Sequence, residues 1–120
     1  MFTLSSTQKF ELYTDPTDMR KSFNSLSGIV SEFYQNGPTN VTVFIFINRQ
    51  RDKVKLLHWV GSGYLLYYKR LEEGTFELPN YEIEQGMIQL SYTQMVMLID
   101  GISIVNIKKR RRYLSPINSV

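Results

Sequence analysis

The chain contains no cysteine and only one histidine among its 120 residues. Without thiols there is no disulfide, no thiolate nucleophile and no Cys-based metal site, and a reducing compartment is the expected setting. His58 alone cannot supply a zinc ligand set. It sits mid-strand beside Trp59 and reads as a structural or surface residue, with no nucleophile elbow near it to complete a Ser-His-Asp triad. A phosphate-cradling glycine loop is also missing, because Gly61-Ser62-Gly63 lacks the following Lys and helix. Long hydrophobic runs are absent too. The longest, Val41 to Ile47, falls far short of the ~20 residues that span a bilayer. The opening MFTLSSTQKF has neither the basic nor the apolar region of a signal peptide. A soluble, cytoplasmic protein with no membrane association is expected.

Acidic residues are few and scattered. Asp15 and Asp18 have helix-start positions, Glu72, Glu73 and Asp100 fall at element ends, and Glu82 and Glu84 lie in a loop segment. A three-carboxylate, two-metal nuclease site therefore has no support. No catalytic residue, cofactor or metal is expected.

What the chain does have is positive charge interleaved with aromatics. The net charge is +3, and the sequence pI is about 9.2. Arg49, Arg51, Lys53 and Lys55 stand against one acid, Asp52, and Lys69 and Arg70 follow on the next strand. Lys108, Lys109, Arg110, Arg111 and Arg112 form an unbroken basic run, whereas Glu72 to Glu84 is acidic. Such a balance suits an anionic partner without demanding one.

Lys9 to Tyr13 alternates as a short edge strand. Asp15, Pro16 and Asp18 read as the N-cap, first position and third position of a helix. Met19, Phe23, Leu26, Val30 and Phe33 would then line its apolar face, with Asn36-Gly37-Pro38 as the stop. The unalternating, β-branched VTVFIFI from Val41 predicts a central strand covered on both faces. Lys53 to Val60 and Tyr64 to Arg70 form a hairpin around Gly61-Ser62-Gly63. Glu73-Gly74 turns the chain into a short strand, Thr75 to Leu78, stopped by Pro79. Ser91 and Gln94 make a capping box for a short helix closed by Gly101. Ile102 to Ile107 is apolar and expected to dock.

The expected architecture is α+β: a mostly antiparallel β-meander with one long amphipathic helix packed on it and a short C-terminal helix. One domain spans residues 1–107, and a basic tail spans 108–120. A domain of this size buries roughly 65% of its unfolded surface and needs no staples.

Hairpin register decides the character of the basic stretch. A two-residue turn opposes Lys53 to Arg70, Lys55 to Tyr68, Leu57 to Leu66 and Trp59 to Tyr64, giving one face that is basic at one end and aromatic at the other. A three-residue turn swaps the faces and sets Lys55 against Lys69, an unfavourable like-charge pair. The first register is preferred. Arg49, Arg51, Lys53, Lys55, Lys69 and Arg70 could then hold phosphates while Trp59 packs on bases or sugars. Composition equally allows a solvated sheet face whose basic stems cover apolar surface. The basic tail leans toward the phosphate reading.

These motifs carry a resemblance. Asp18-Met19-Arg20, Asn48-Arg49-Gln50-Arg51-Asp52, Lys55-Leu56-Leu57-His58-Trp59, Gly63, Tyr68-Lys69-Arg70-Leu71 and Gly74-Thr75-Phe76-Glu77-Leu78-Pro79 keep the order and spacing of a known family. It is that of the TnpB-type accessory proteins encoded by the second open reading frame of the sixty-six-type bacterial insertion sequences. The likeness runs from about Phe10 to Gly101. Val60 departs from it, since the family commonly has an acid after the Trp. The resemblance implies a role in transposition beside a separate, larger transposase that cleaves the strands. A non-catalytic protein that contacts DNA and helps assemble the transposase complex is expected; Asp18 and Arg20 are either a surface for the transposase or other element-encoded proteins, or an acid that complements the helix dipole and a base that pairs locally. The alternative is an adaptor that binds the transposase without touching DNA. Oligomeric state is left open.

Overall fold

The computed structural model describes residues 5, 7–37, 39–80 and 86–101. The chain orders itself as β1 (Lys9–Tyr13), α1 (Phe23–Phe33), β2 (Thr42–Ile47), β3 (Lys53–Trp59), β4 (Tyr64–Arg70), β5 (Met87–Leu90) and α2 (Tyr92–Asp100). The five strands form one sheet in the order β4-β3-β2-β1-β5. The α+β class holds, and β2-β3-β4 is a true antiparallel meander. The sheet as a whole is mixed, however, because β1 runs parallel to β2 (Phe10 opposite Val43) and antiparallel to β5 (Phe10 opposite Leu90). β1 is thus an interior strand, not the expected edge.

Layering follows from side-chain alternation. Every residue of β2 is buried, as its unbroken apolar run predicted. Val43, Ile45 and Ile47 join Phe10, Leu12, Leu56, Phe76 and the α2 residues Met95 and Leu98 on one face. Phe44 and Phe46 join Leu57, Leu26 and Val30 of α1 on the other. Burying a side chain such as Leu26 or Val30 contributes about 1.5–3 kcal/mol.

The long helix is not there: α1 has 11 residues and begins after Ser22. The Asp15-Pro16-Asp18 start signal is overridden because that segment's backbone is engaged elsewhere. Thr17 N–H donates to the Ile47 carbonyl at the end of β2 (2.8 Å), and the first helical bond is Leu26 N–H to Ser22 O. Met19 therefore lies outside the helix. Tyr34 ends α1, its N–H donating to Val30 O, and Gly37 takes a positive φ of 83° in the turn beyond.

Thr75 to Leu78 is not a strand. No strand neighbours it among the described residues; instead Phe76 N–H donates to Arg51 O (2.6 Å), and the Phe76 ring fills the core as a plug. The fifth strand comes from Met87–Leu90, which the sequence pattern did not mark. The capping box of α2 forms as expected: Ser91 Oγ accepts from Gln94 N–H, the Gln94 side chain accepts from Ser91 N–H, and Gly101 closes the helix at φ 74°. The expected docking of Ile102 to Ile107, the tail from Lys108, and the loop positions of Glu82 and Glu84 lie outside the described residues.

Candidate functional site

The β3–β4 hairpin adopts the two-residue-turn register, with Lys53 opposite Arg70, Lys55 opposite Tyr68, Leu57 opposite Leu66 and Trp59 opposite Tyr64. The sheet end that carries Lys53 and Arg70 also receives the β2–β3 turn, and the 15–21 segment folds over its face. Pro16, Asp18, Met19 and Arg20 from that segment meet Asn48, Arg49, Gln50, Lys53 and Tyr68 around an open groove of about 630 Å³. Two motifs separated by some thirty residues of sequence therefore share one surface.

The turn is held by Asn48, which is buried. Its Oδ1 accepts from the N–H groups of Asp52 (3.0 Å) and Lys53 (2.9 Å), and its Nδ2 donates to Asp52 Oδ1 (2.6 Å) and Gln50 Oε1 (3.2 Å). Arg51 N–H donates to Asn48 O, closing the turn, while the carbonyls of Arg51 and Asp52 accept from Phe76 and Leu71. Arg49, Gln50 and Arg51 are left exposed at its tip. Arg51 holds φ 59°, in the left-handed region. The hydrogen bond from Asn48 holds the Asp52 carboxyl below its ordinary range, and Lys53 lies 3.6 Å from it.

Asp18 and Arg20 form a fork. Asp18 Oδ1 accepts from Arg20 N–H and Nε–H, and Oδ2 accepts from Nε–H and Nη2–H, the last at 2.6 Å. These bonds lower the Asp18 carboxyl to about 2. The Arg20 side chain is 91% exposed, so the fork is presented to solvent.

Lys55 sets the position of this segment. Its residue is buried, and Nζ donates to the carbonyls of Met19 (2.7 Å) and Lys21 (2.6 Å) with the ammonium 4.8 Å from the Tyr68 ring centroid. Burial pushes its pKa down, partly opposed by the Asp18 charge. Lys69 is likewise engaged, donating to Ile99 O at the C-terminus of α2 (2.6 Å), where a cation satisfies an orphan carbonyl. Both were expected at the phosphate surface, and both ammonium groups are directed to main-chain carbonyls instead. Arg70 is exposed and pairs with Glu72 at 3.2 Å. Trp59 stacks edge-on to Tyr64 at 5.0 Å, at the far end of a seven-residue strand from Lys53. The structure thus gathers Arg20, Arg49, Arg51, Lys53 and Arg70 at one end and leaves Trp59 about 20 Å away.

His58 has a structural place. Its Nε2 lies 2.9 Å from the Asn40 carbonyl oxygen and 3.2 Å from Gln8 Nε2. Among the described residues no group of three or more His, Asp or Glu is placed to hold a metal ion. Among them, too, no helix is long and apolar enough to cross a membrane.

Comparison with known proteins covers most of the chain. The family model described as IS66 Orf2 like protein matches residues 8–109. Two similar proteins come from Sinorhizobium fredii. The uncharacterized protein y4hO is 36% identical over 89 residues, covering 74% of this chain and 76% of that protein. The uncharacterized protein y4jC is 28% identical over 97 residues, covering 81% of each. No solved structure matches the chain.

Proposed function

Because the chain belongs to the IS66 Orf2-like family and so to an insertion sequence, we propose that it is a cytoplasmic, non-catalytic accessory protein of that element's transposition. In this reading it binds the DNA backbone through the exposed end of its sheet and helps assemble the transposase complex. Arg49, Arg51, Lys53 and Arg70 contact phosphates there, and Lys108 to Arg112 add further contacts from the tail. The backbone of Arg51 carries the proposal. The other positive-φ positions among the described residues are Gly37, Gly61, Gly74, Gly86 and Gly101. A left-handed conformation costs an L-residue about 1–2 kcal/mol, and such strain concentrates where a side chain is needed. Here the strained residue presents a guanidinium at the tip of a turn braced by Asn48, where it can reach phosphates that strand residues cannot.

The adaptor reading has its own support in the Asp18–Arg20 fork, an exposed and geometrically fixed ion pair suited to a protein partner. A gel shift over a salt series, on element-end DNA with and without the cognate transposase, separates the two. Each phosphate contact contributes about −0.9 to the slope of log K against log salt. The double variant Arg49→Ala/Arg51→Ala should flatten that slope by roughly two units in the absence of transposase. An unchanged slope in a folded double variant overturns the DNA assignment. Loss of transposase capture in Asp18→Ala, with DNA binding absent throughout, would establish the adaptor in its place.

A further inference from the structure

The groove between the 15–21 segment and the β2–β3 turn carries groups that phosphate contacts alone leave unused. Thr17 lines it and is 3% exposed, and its Oγ1 has no hydrogen-bond partner among the described residues. A buried hydroxyl left unpaired is destabilising, and native structures keep few of them. Tyr68 lines the same groove from β4 and is 52% exposed. The Lys55 ammonium takes one face of its ring, 4.8 Å from the centroid, which leaves the opposite face as the one able to stack.

Charge and size narrow the occupant. Arg49 and Lys53 bring positive charge from the turn, and the one acid of the lining, Asp18, is already paired with Arg20 at 2.6 Å. The volume of about 630 Å³ lies within the ~300–1,000 Å³ of sites that enclose a small organic ligand. A duplex cannot fill such a groove. Its bases are stacked inside a convex cylinder, so it meets the rim only, with its phosphates on the basic side chains. We propose that the groove holds one unpaired nucleotide of a DNA single strand, with its base stacked on Tyr68 and hydrogen-bonded to Thr17 Oγ1, and its phosphates on Arg49 and Lys53.

This inference rests on the reading that the end of the sheet binds the DNA backbone, and it names the form of DNA that completes the site. Stacking on an aromatic ring beside a basic track is how single strands are held without sequence preference, because every base has a π-face. The hydroxyl adds none, since it can donate or accept. Met19, on the wall opposite the turn, supplies an adaptable apolar side chain that suits bases of different size. Trp59 takes no part, because it stands about 20 Å away along the sheet.

Binding of the full chain to an oligothymidylate strand and to a random-sequence duplex of the same length, at one salt concentration, tests the proposal. The single strand should bind roughly tenfold more tightly. Tyr68→Leu should abolish that preference while duplex affinity stays the same, and Tyr68→Phe, which keeps the ring, should restore it. Thr17→Val keeps the shape, removes the hydroxyl and should weaken single-strand binding roughly fivefold. An iodouracil-substituted strand provides a test without substitution in the protein: irradiation should cross-link it to Tyr68. Equal affinity for strand and duplex overturns the inference and leaves the backbone reading standing. So does a Tyr68→Leu or Thr17→Val protein with undiminished single-strand affinity, or a cross-link to Trp59 in place of Tyr68. Absence of binding to either DNA overturns the backbone reading and the inference together.

Discussion

Replacing Lys55 with Met removes an ammonium while keeping most of the stem's volume, and it probes how the 15–21 segment is held. Two hydrogen bonds are lost, to the carbonyls of Met19 and Lys21 at 2.7 and 2.6 Å. Bonds to a charged group are worth about 1.5–3 kcal/mol each. The contact over the Tyr68 ring adds about 0.5–2 kcal/mol. Against these stands the desolvation of a buried ammonium, several kcal/mol, whose presence is registered by the downward push on the Lys55 pKa. The two carbonyls regain water once the segment loosens, which recovers part of the loss. The net expectation is a destabilisation of about 2–3 kcal/mol. Trp59, the single tryptophan, packs on Tyr64 and reports unfolding by fluorescence. With a urea dependence of about 1–3 kcal/mol per molar, the midpoint should fall by roughly 1–2 M with an unchanged slope. Hydrogen exchange should quicken at Thr17, whose N–H bonds Ile47 O, and the Asp18–Arg20 fork should lose its fixed position. A loss under ~0.5 kcal/mol with Thr17 still protected would refute the claim that Lys55 anchors this segment, because a buried charge with two partners does not vanish at so small a cost.

Arg51→Gly relieves the left-handed strain and should raise stability by about 0.5–1 kcal/mol, a few degrees in melting temperature, while weakening DNA binding; a lower melting temperature would mean that the Arg51 side chain holds the turn. Gly86→Ala should destabilise by about 1–3 kcal/mol in urea unfolding, since Gly86 holds φ 74° and a Cβ there would stand 2.5 Å from Phe33 Cε1. The Asp18 carboxyl sits at about 2 when folded against 3.8 unperturbed. Its stabilising contribution is therefore complete above the unperturbed value and is lost as pH falls from 3.8 through about 2. Melting curves of Asp18→Asn should lack that part of the acid slope, and an identical slope would place the fork outside the folded state's acid response.

The elements legible in the sequence are those whose instructions are local. The hairpin register follows from Gly61-Ser62 and from the cost of facing Lys55 with Lys69, and the start and end of α2 follow from Ser91, Gln94 and Gly101. The unalternating run after Val41 fixes β2 as a strand covered twice. The missed features depend on distant partners. Met87–Leu90 becomes a strand because β1 offers it an edge, and nothing within four residues signals that. Thr75 to Leu78 alternates as a strand would, yet its backbone bonds the β2–β3 turn. At the candidate site, the exposure of Arg49 and Arg51 was legible from a polar loop between two strands. The inward direction of Lys55 was not, because its acceptors lie 34 and 36 residues earlier in the chain. The convergence of the Asp18 segment on that loop depends on the same anchor.

The interior place of β1 has a consequence for the order in which the molecule can be completed. β1 emerges first during synthesis, but one of its two edges pairs with Met87–Leu90, so Phe10 waits for Leu90. The meander β2-β3-β4 joins neighbours in sequence and can form early, as low-contact-order pairings do. β1 can then dock on β2, leaving its second edge unpaired until the ribosome has passed residue 90. A nascent or truncated chain ending near Pro79 would carry that edge open beside Phe10 and Leu12, a template for aggregation. The last strand therefore acts as a completeness check: only a chain translated past β5 can cover the second edge of β1.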